Sequence, residues 1–242
     1  MKRLLLFLSL YSLLLLPECS TLKKLGVIPS ELEMVLGLKD ALSQGLFKGF
    51  EAFADPNGNP LVRFVFPGEA VKIEKTLRDL GFDKTINQVT GKFTKAISSA
   101  VSVAKPLFFE AVKSMSIKDA TKILITDNTH AATNYFKQAM KPGLMNAFRP
   151  IVDSAIKIEG ADKEWTDITK IYNSIPFINK PLENNLTDFI SARVVDILFV
   201  MVANEEDQIR NKYELRKTDL MKKVFTYAEQ ELKRRLQKNK GL

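Results

Sequence analysis

The chain holds one cysteine, one histidine and one tryptophan in 242 residues. A single cysteine excludes a disulfide framework. Together with one histidine it also falls short of the roughly four ligands that a Cys/His zinc site takes. A Ser-His-Asp or Cys-His hydrolase would have to rest on His130, which stands near Asp127 and Thr133 with no nucleophile signature beside it. A general base needs a partner to act on, so His130 reads as a surface or capping residue. Gly91-Lys92 lacks the Ser/Thr and the first glycine of a phosphate loop, since Phe93 and Ile86 stand there. Internal repeats and low-complexity linkers are also missing. What is present is apolar. Hydrophobic residues make up 45% of the chain and 16 of them are Phe, which excludes disorder and supplies a packed core. At this length one domain is the default.

Met1-Lys2-Arg3 precedes an almost unbroken apolar stretch from Leu4 to Leu16. Thirteen helical residues reach about 20 Å, short of the roughly 30 Å hydrocarbon core of a bilayer. The stretch therefore reads as the basic and apolar regions of a secretory signal peptide. Cys19 follows directly, with Leu16 at the third position before it as in a lipobox, although Glu18 stands where a small residue is usual. Residues 1–18 are thus expected to be a lipoprotein-type leader, and Cys19 the acylated first residue of the mature chain. Ser20 after the cysteine, in place of Asp, points to the outer membrane. The expected location is the periplasmic side of the envelope. Residues 19–29 read as a tether, 30–225 as a helical domain and 226–242 as a basic helical extension.

The formal charge is +8, but it is unevenly placed. From Lys222 to Leu242 seven cations face only Glu229 and Glu231, so this tail carries +5, and residues 19–221 carry +2. Tracking phosphates needs a basic face on the fold itself, so nucleic acid is not an expected partner. Lys233, Arg234 and Arg235 are the candidates for contact with anionic headgroups, at about 1 kcal/mol per cation near a surface. A solvated helix end, where cations suit the macrodipole, would use the same residues.

Helical periodicity runs nearly throughout. Ser30-Glu31-Leu32-Glu33 is a capping box opening a helix with the stripe Val35, Leu38, Leu42, Leu46, Gly49, Phe53. Gly45 and Gly49, four apart, would let another backbone approach. The turn cluster Asp55–Pro60 leads into Leu61–Phe66, the one β-like stretch, whose flanking prolines suggest an extended arm. A helix from about Glu69 to Leu80 should end at Gly81. Asp83 should cap the next, which runs toward Ala104 and restarts at Pro106. Ser116-x-x-Asp119 reads as another capping signal. A helix bearing Ala131 to Phe136 is expected to break at Pro142-Gly143, with a restart at Pro150. Gly160–Asp162 precede the Trp165 helix, and Pro176 and Pro181 bracket a loop. From Thr187 to Asn204 apolar residues cover about 200° of arc, as in a buried central helix. Arg193 and Asp196 within it exclude a membrane span. The last helix, Asp219 to about Lys238, has the stripe Met221, Phe225, Ala228, Leu232, Leu236. The fold class is all-α, a single-domain helical bundle with one short extended segment near residues 61–66.

Arg193 and Asp196, spaced i, i+3, form a polar stripe on that buried helix, and Arg149 and Arg210 are further groups that could meet carboxylates. The four read as an ion-pair network fixing helix register or as a polar pocket in the bundle core. Glu205-Glu206-Asp207 read as a solvated helix end, because successive carboxylates on a helix point about 100° apart and do not converge. No metal and no cofactor is expected. Phe108, Phe109, Phe136, Phe148, Phe177, Phe189 and Phe199 read as core, and an apolar cavity for an acyl chain would look the same.

Several stretches together resemble domain-of-unknown-function family 4197, a bacterial family. They are Gly37-Leu38-Lys39-Asp40-Ala41-Leu42 with Gly45, Met115 with Asp119-Ala120 and Ile123-Leu124, Ala131-Ala132-Thr133-Asn134-Tyr135-Phe136, and Phe148-Arg149-Pro150-Ile151-Val152. Tyr172-Asn173, Ile209-Arg210 and Thr218 to Phe225 follow in order. The resemblance covers about Leu22 to Phe225. It implies an α-helical, exported protein, often with a lipoprotein-type leader, and implies no activity. Thr126–His130 and Asn211-Lys212 depart from the family pattern, and the basic segment after Phe225 lies beyond it. The leading functional expectation is a non-enzymatic envelope lipoprotein acting by protein or membrane-surface interaction. A helical carrier of a lipid or other apolar molecule is the alternative. An enzyme around Arg149, Arg193, Asp196 or His130 comes third.

Overall fold

The computed structural model describes residues 28–66, 70–174 and 186–239. The leader, Cys19, most of the tether, Phe177 and the Pro176–Pro181 loop lie outside the described residues. Among the described residues there are eight α-helices and no strand: α1 Glu31–Ala54, α2 Ala70–Asp79, α3 Asp83–Ser114, α4 Ala120–Leu124, α5 Ala131–Ile158, α6 Ala161–Asn173, α7 Thr187–Asn211 and α8 Asp219–Asn239.

The four long helices α1, α3, α5 and α7 pack cyclically, each against the two beside it, and the diagonal pairs touch little. Neighbours are antiparallel throughout. Gly45 and Gly49 of α1 meet Val202 and Leu198 of α7. Phe50 of α1 packs edge-on against Phe108 of α3, which does the same to Phe148 of α5. Phe136 of α5 meets Phe199 of α7 in the same way. The arrangement is an up-down-up-down bundle, built from the apolar stripes that periodicity predicts. The glycines set the α1–α7 spacing. A Cβ on Gly45 would stand 2.8 Å from the Val202 Cα, so only glycine allows this approach.

The shorter helices cover the flanks. α2 lies on α3, α6 on α3 and α5, and α4 and α8 on α1. α1 opens with the expected capping box, Ser30 accepting from the Glu33 amide while Glu33 accepts from the Ser30 amide. α2 ends in a Schellman motif. Gly81 has φ +86°, its N–H reaches the Arg78 carbonyl, and the Phe82 N–H reaches Leu77.

Residues 60–66 explain their β-like pattern without a sheet. Pro60–Val62 wind into a 3₁₀ turn, Arg63 is extended, and residues 64–66 have no regular structure. Alternation is kept, with Val62, Phe64 and Phe66 buried and Leu61 and Val65 exposed. Phe64 stacks on Phe93, and Phe66 leans on Trp165. The Phe64 amide donates to the Thr94 hydroxyl in place of a ladder partner.

Three local expectations are corrected. Pro106, Pro142 and Pro150 neither break nor restart a helix, since α3 and α5 run through them. All three prolines are exposed. The carbonyls they free, on Ser102, Gln138 and Asn146, belong to exposed residues, while Phe108, Leu144 and Phe148 are buried in the core. Asp83 is the first residue of α3 and not its cap; it accepts from Arg78 instead. Asp119 precedes α4 in the left-handed region, φ 56°, without a side-chain cap bond, a conformation Asp tolerates better than most residues. α7, expected at the centre, is one of four equivalent walls. Its apolar arc is wider than its buried face, and Val200 is 51% exposed.

Candidate functional site

The structure does not bring Arg149, Arg193, Asp196 and Arg210 together. Arg149 donates to Asp188 at 2.6 Å in an exposed pair linking α5 to α7. Arg193 points to the 60–66 arm, reaching the Leu61 carbonyl at 3.4 Å. Asp196, three residues on, turns instead to α5, accepting from Lys141 at 2.7 Å and pairing with Lys137 at 3.1 Å. Partial burial pushes the Asp196 carboxyl up, but the two ammonium groups outweigh it and hold the group below its ordinary value. These pairs staple neighbouring helices and form no pocket.

The buried polar cluster lies where the sequence suggested a solvated helix end. Glu205 and Glu206 are both buried. Glu205 accepts from the Gln44 amide at 2.7 Å. Glu206, its side chain 1% exposed, receives the Ala132 amide at 2.9 Å, and the Thr133 amide and hydroxyl at 2.7 Å each. It thereby caps the N-terminus of α5 from a distant helix. Arg210, one turn on, meets the same carboxylate at 2.8 Å and donates to the Ile123 and Leu124 carbonyls at the end of α4. Arg216 is 2% exposed and donates to the Ile209 and Arg210 carbonyls, closing the end of α7. It also reaches Thr226 and Glu229 on α8. His130, the residue before α5, faces the Ala203 carbonyl through Nδ1 at 3.1 Å.

Of this hub the sequence singles out Arg210 as a group that could meet a carboxylate, while Glu205 and Glu206, expected at a solvated helix end, are buried. Glu206 carried a signal, its i, i+4 spacing to Arg210, but the orphan amides it satisfies lie 73 and 74 residues away. Arg216 carried none. Both oxygens of Glu206 are occupied by the protein's own donors, so this carboxylate acts as a structural acceptor. Among the described residues no cluster of three or more His, Cys, Asp or Glu could hold a metal. No described helix is long and apolar enough to cross a membrane.

Against this hub lies an open groove of about 340 Å³. One wall is α8, with Phe225, Ala228, Leu232 and Leu236, and the other is Leu124 and the loop Thr126–Thr129. Arg210, Asn211, Glu229 and Lys233 also line it. It is a surface groove beside the bundle, distinct from the cavity between core helices that a carrier would suggest. Between the core helices Phe50, Phe108 and Phe148 pack on one another in turn, and Phe136 packs on Phe199.

Of the three tail cations on α8, Lys233 lines this groove and Arg234 and Arg235 do not. Lys233 pairs with Glu229 at 2.8 Å. Arg234 holds Glu231 through two bonds of 2.7 Å, and Arg235 reaches it at 3.0 Å. The two guanidinium groups hold the Glu231 carboxyl down at about 2. All three cations remain largely exposed. α8 is continuous past residue 225, and its buried residues end at Ala228.

The family described as "Protein of unknown function (DUF4197)" matches residues 29–226. No curated protein and no solved structure matches the chain.

Proposed function

This chain belongs to the DUF4197 family, whose description assigns no activity, and within it we propose a non-enzymatic envelope lipoprotein that meets a membrane surface with one end of its bundle. The observation that carries the reading is the seating of the start of α8, and of the segment before it, on α1. Glu33 pairs with Lys223, Asp40 accepts from Thr218, and Gln44 donates to the Leu215 carbonyl. Val224 packs on Gly37, while Leu215 and Thr218 belong to the segment that leads into α8. From Val224 the helix runs on for 15 residues to Asn239, about 22 Å at 1.5 Å per residue, and no described residue of it after Ala228 is buried. The acylated Cys19 would lie on the same side, since the tether joins α1 at that end. Its 11 residues to Ser30 reach at most about 40 Å, enough to bring Lys233, Arg234 and Arg235 to the headgroups of the anchoring leaflet. Ile28 and Leu32, exposed at the start of α1, add apolar contact at this end. The leader and Ser20 support the periplasmic face of the outer membrane as the location.

The test uses the chain from Ser20 onward, which keeps every buried residue described. Flotation with phosphatidylglycerol vesicles at low salt should be strong, and weak with phosphatidylcholine. Changing Lys233, Arg234 and Arg235 to Gln should abolish the difference. Equal flotation of the triple variant would refute surface contact through α8. For the anchor, labelled palmitate should enter the full chain and not its Cys19→Ala variant.

A further inference from the structure

We propose that two copies of this chain pair through the ends of their α8 helices. The helices run antiparallel, turned end for end about Leu232, and each copy seats its Leu236 in the other's groove beside Ala228. The inference goes beyond the membrane contact proposed above and does not need it. Three observations select a second copy as the occupant of the groove.

The first is an uncovered apolar stripe. Phe225, Ala228, Leu232 and Leu236 all line the groove, but only the first two are buried, and Leu236 is 51% exposed. The second is the charge left over in the groove. Arg210 is paired with Glu206, and Lys233 with Glu229. Asp127, on the wall opposite α8, pairs with no cation among the described residues; its one bond comes from the Thr126 hydroxyl at 3.5 Å. The groove thus suits an apolar stripe flanked by cations, and the end of α8 is such a stripe, with Leu232 and Leu236 between Lys233 and Arg235. The third is self-complementarity. At about 100° per residue, Glu229 and Lys233 flank the stripe on one side, and Glu231 and Arg235 on the other. In an antiparallel pair with a twofold axis, each flank faces the same flank of the other copy. With the axis at Leu232, Glu229 comes within about 3 Å of the level of the other copy's Lys233, and Glu231 of its Arg235. Each flank then sets two acid–cation contacts against one like-charge contact. Ala228 stands level with the other copy's Leu236, so a small side chain meets a large one. The overlap from Ala228 to Leu236 is about 12 Å long, at the small end of specific interfaces, so the expected dimer is a weak one. The acids are already paired along their own helix, and exposed pairs of this kind exchange partners at little cost.

The test uses the chain from Ser20 onward without vesicles, so its outcome is independent of flotation. Sedimentation velocity from about 1 µM to about 1 mM protein should show a monomer passing into a dimer. Leu232→Gln with Leu236→Gln keeps net charge and helix propensity and removes no buried side chain. Its circular-dichroism melt at low concentration should match the parent, while its dimer weakens at least tenfold. Glu231→Lys and Arg235→Glu each leave one flank with charge of a single sign, so each variant alone should dimerise at least tenfold more weakly than the parent. In their equimolar mixture every contact on that flank joins an acid to a cation, and dimers should form at least as well as in the parent. A parent that stays monomeric throughout, or a leucine variant that dimerises as the parent does, would overturn the pairing. A mixture that associates no better than its two components would overturn the antiparallel arrangement about Leu232.

Discussion

Replacing Glu206 by glutamine removes one charge and one acceptor from a site where four donors converge. In the parent, Oε1 receives the Ala132 amide and Arg210, and Oε2 receives the Thr133 amide and hydroxyl. A glutamine NH₂ at either position would face a backbone N–H that has no other acceptor. Arg210, with its side chain 9% exposed, would be left without its counter-charge. Removing one partner of a buried, hydrogen-bonded pair costs about 3–5 kcal/mol, a large share of the 5–15 kcal/mol typical of a whole domain. For a chain of this size the loss corresponds to a melting temperature lower by about 6–20 °C. Urea unfolding followed at 222 nm would measure it. Because the pair is buried, the loss should persist in high salt, where exposed pairs are screened. Adding Arg210→Met removes the stranded charge, so the double variant should be less unstable than the two single losses added, by about 0.5–3 kcal/mol. A single-variant loss under about 1 kcal/mol, the range of exposed pairs, would refute the reading of Glu206 as the carboxylate that organises the ends of α4 and α5.

Two glycine substitutions should move stability in opposite directions. Gly45→Ala drives a methyl against the Val202 backbone and should cost about 1–3 kcal/mol in urea unfolding. Gly143→Ala, on the open face of α5, should stabilise by about 0.5–1 kcal/mol. Asp196 is held below its ordinary value, so its ion pairs stabilise the fold above about pH 4 and fade as pH falls through the lowered value. The parent should therefore exceed Asp196→Asn by up to about 1 kcal/mol at neutral pH, given the exposure of the pair, and the two curves should merge in acid. A constant gap would contradict this. The carboxyl of Glu231 should titrate near 2 by carbon NMR and return to the ordinary glutamate range when Arg234 and Arg235 are both changed to Gln.

The bundle was legible because it rests on local pattern. The α1 stripe, the capping box at Ser30, the Gly81 stop and the close-packing role of Gly45 and Gly49 each need only a window of one helix. The prolines misled for the same reason. Pro106, Pro142 and Pro150 carry a local penalty of about 3 kcal/mol each, and periodicity alone does not reveal that the buried Phe108, Leu144 and Phe148, each two residues from one of them, outweigh it. The polar hub was illegible at a deeper level. Glu206 looks like one of three adjacent acids at a helix end, and its burial follows from amides at Ala132 and Thr133 that the sequence gives no reason to place beside it. Arg193 and Asp196 show the converse. Their spacing put them on one stripe, but side chains of that length choose partners on different neighbours, the Leu61 carbonyl and the α5 lysines.

The seating of α8 on α1 has a consequence for the order in which this molecule can be completed. Synthesis delivers α1 first, and its Gly37 surface is the seat for Val224, a residue made 187 positions later. Until that residue arrives, α1 keeps one apolar flank in water, even when α3, α5 and α7 have already closed around its other sides. A nascent chain at this stage is a nearly finished bundle with an open seam, the kind of intermediate that associates with its own copies. Closure of that seam by the last helix is then the step that turns a sticky, almost-folded chain into an inert one.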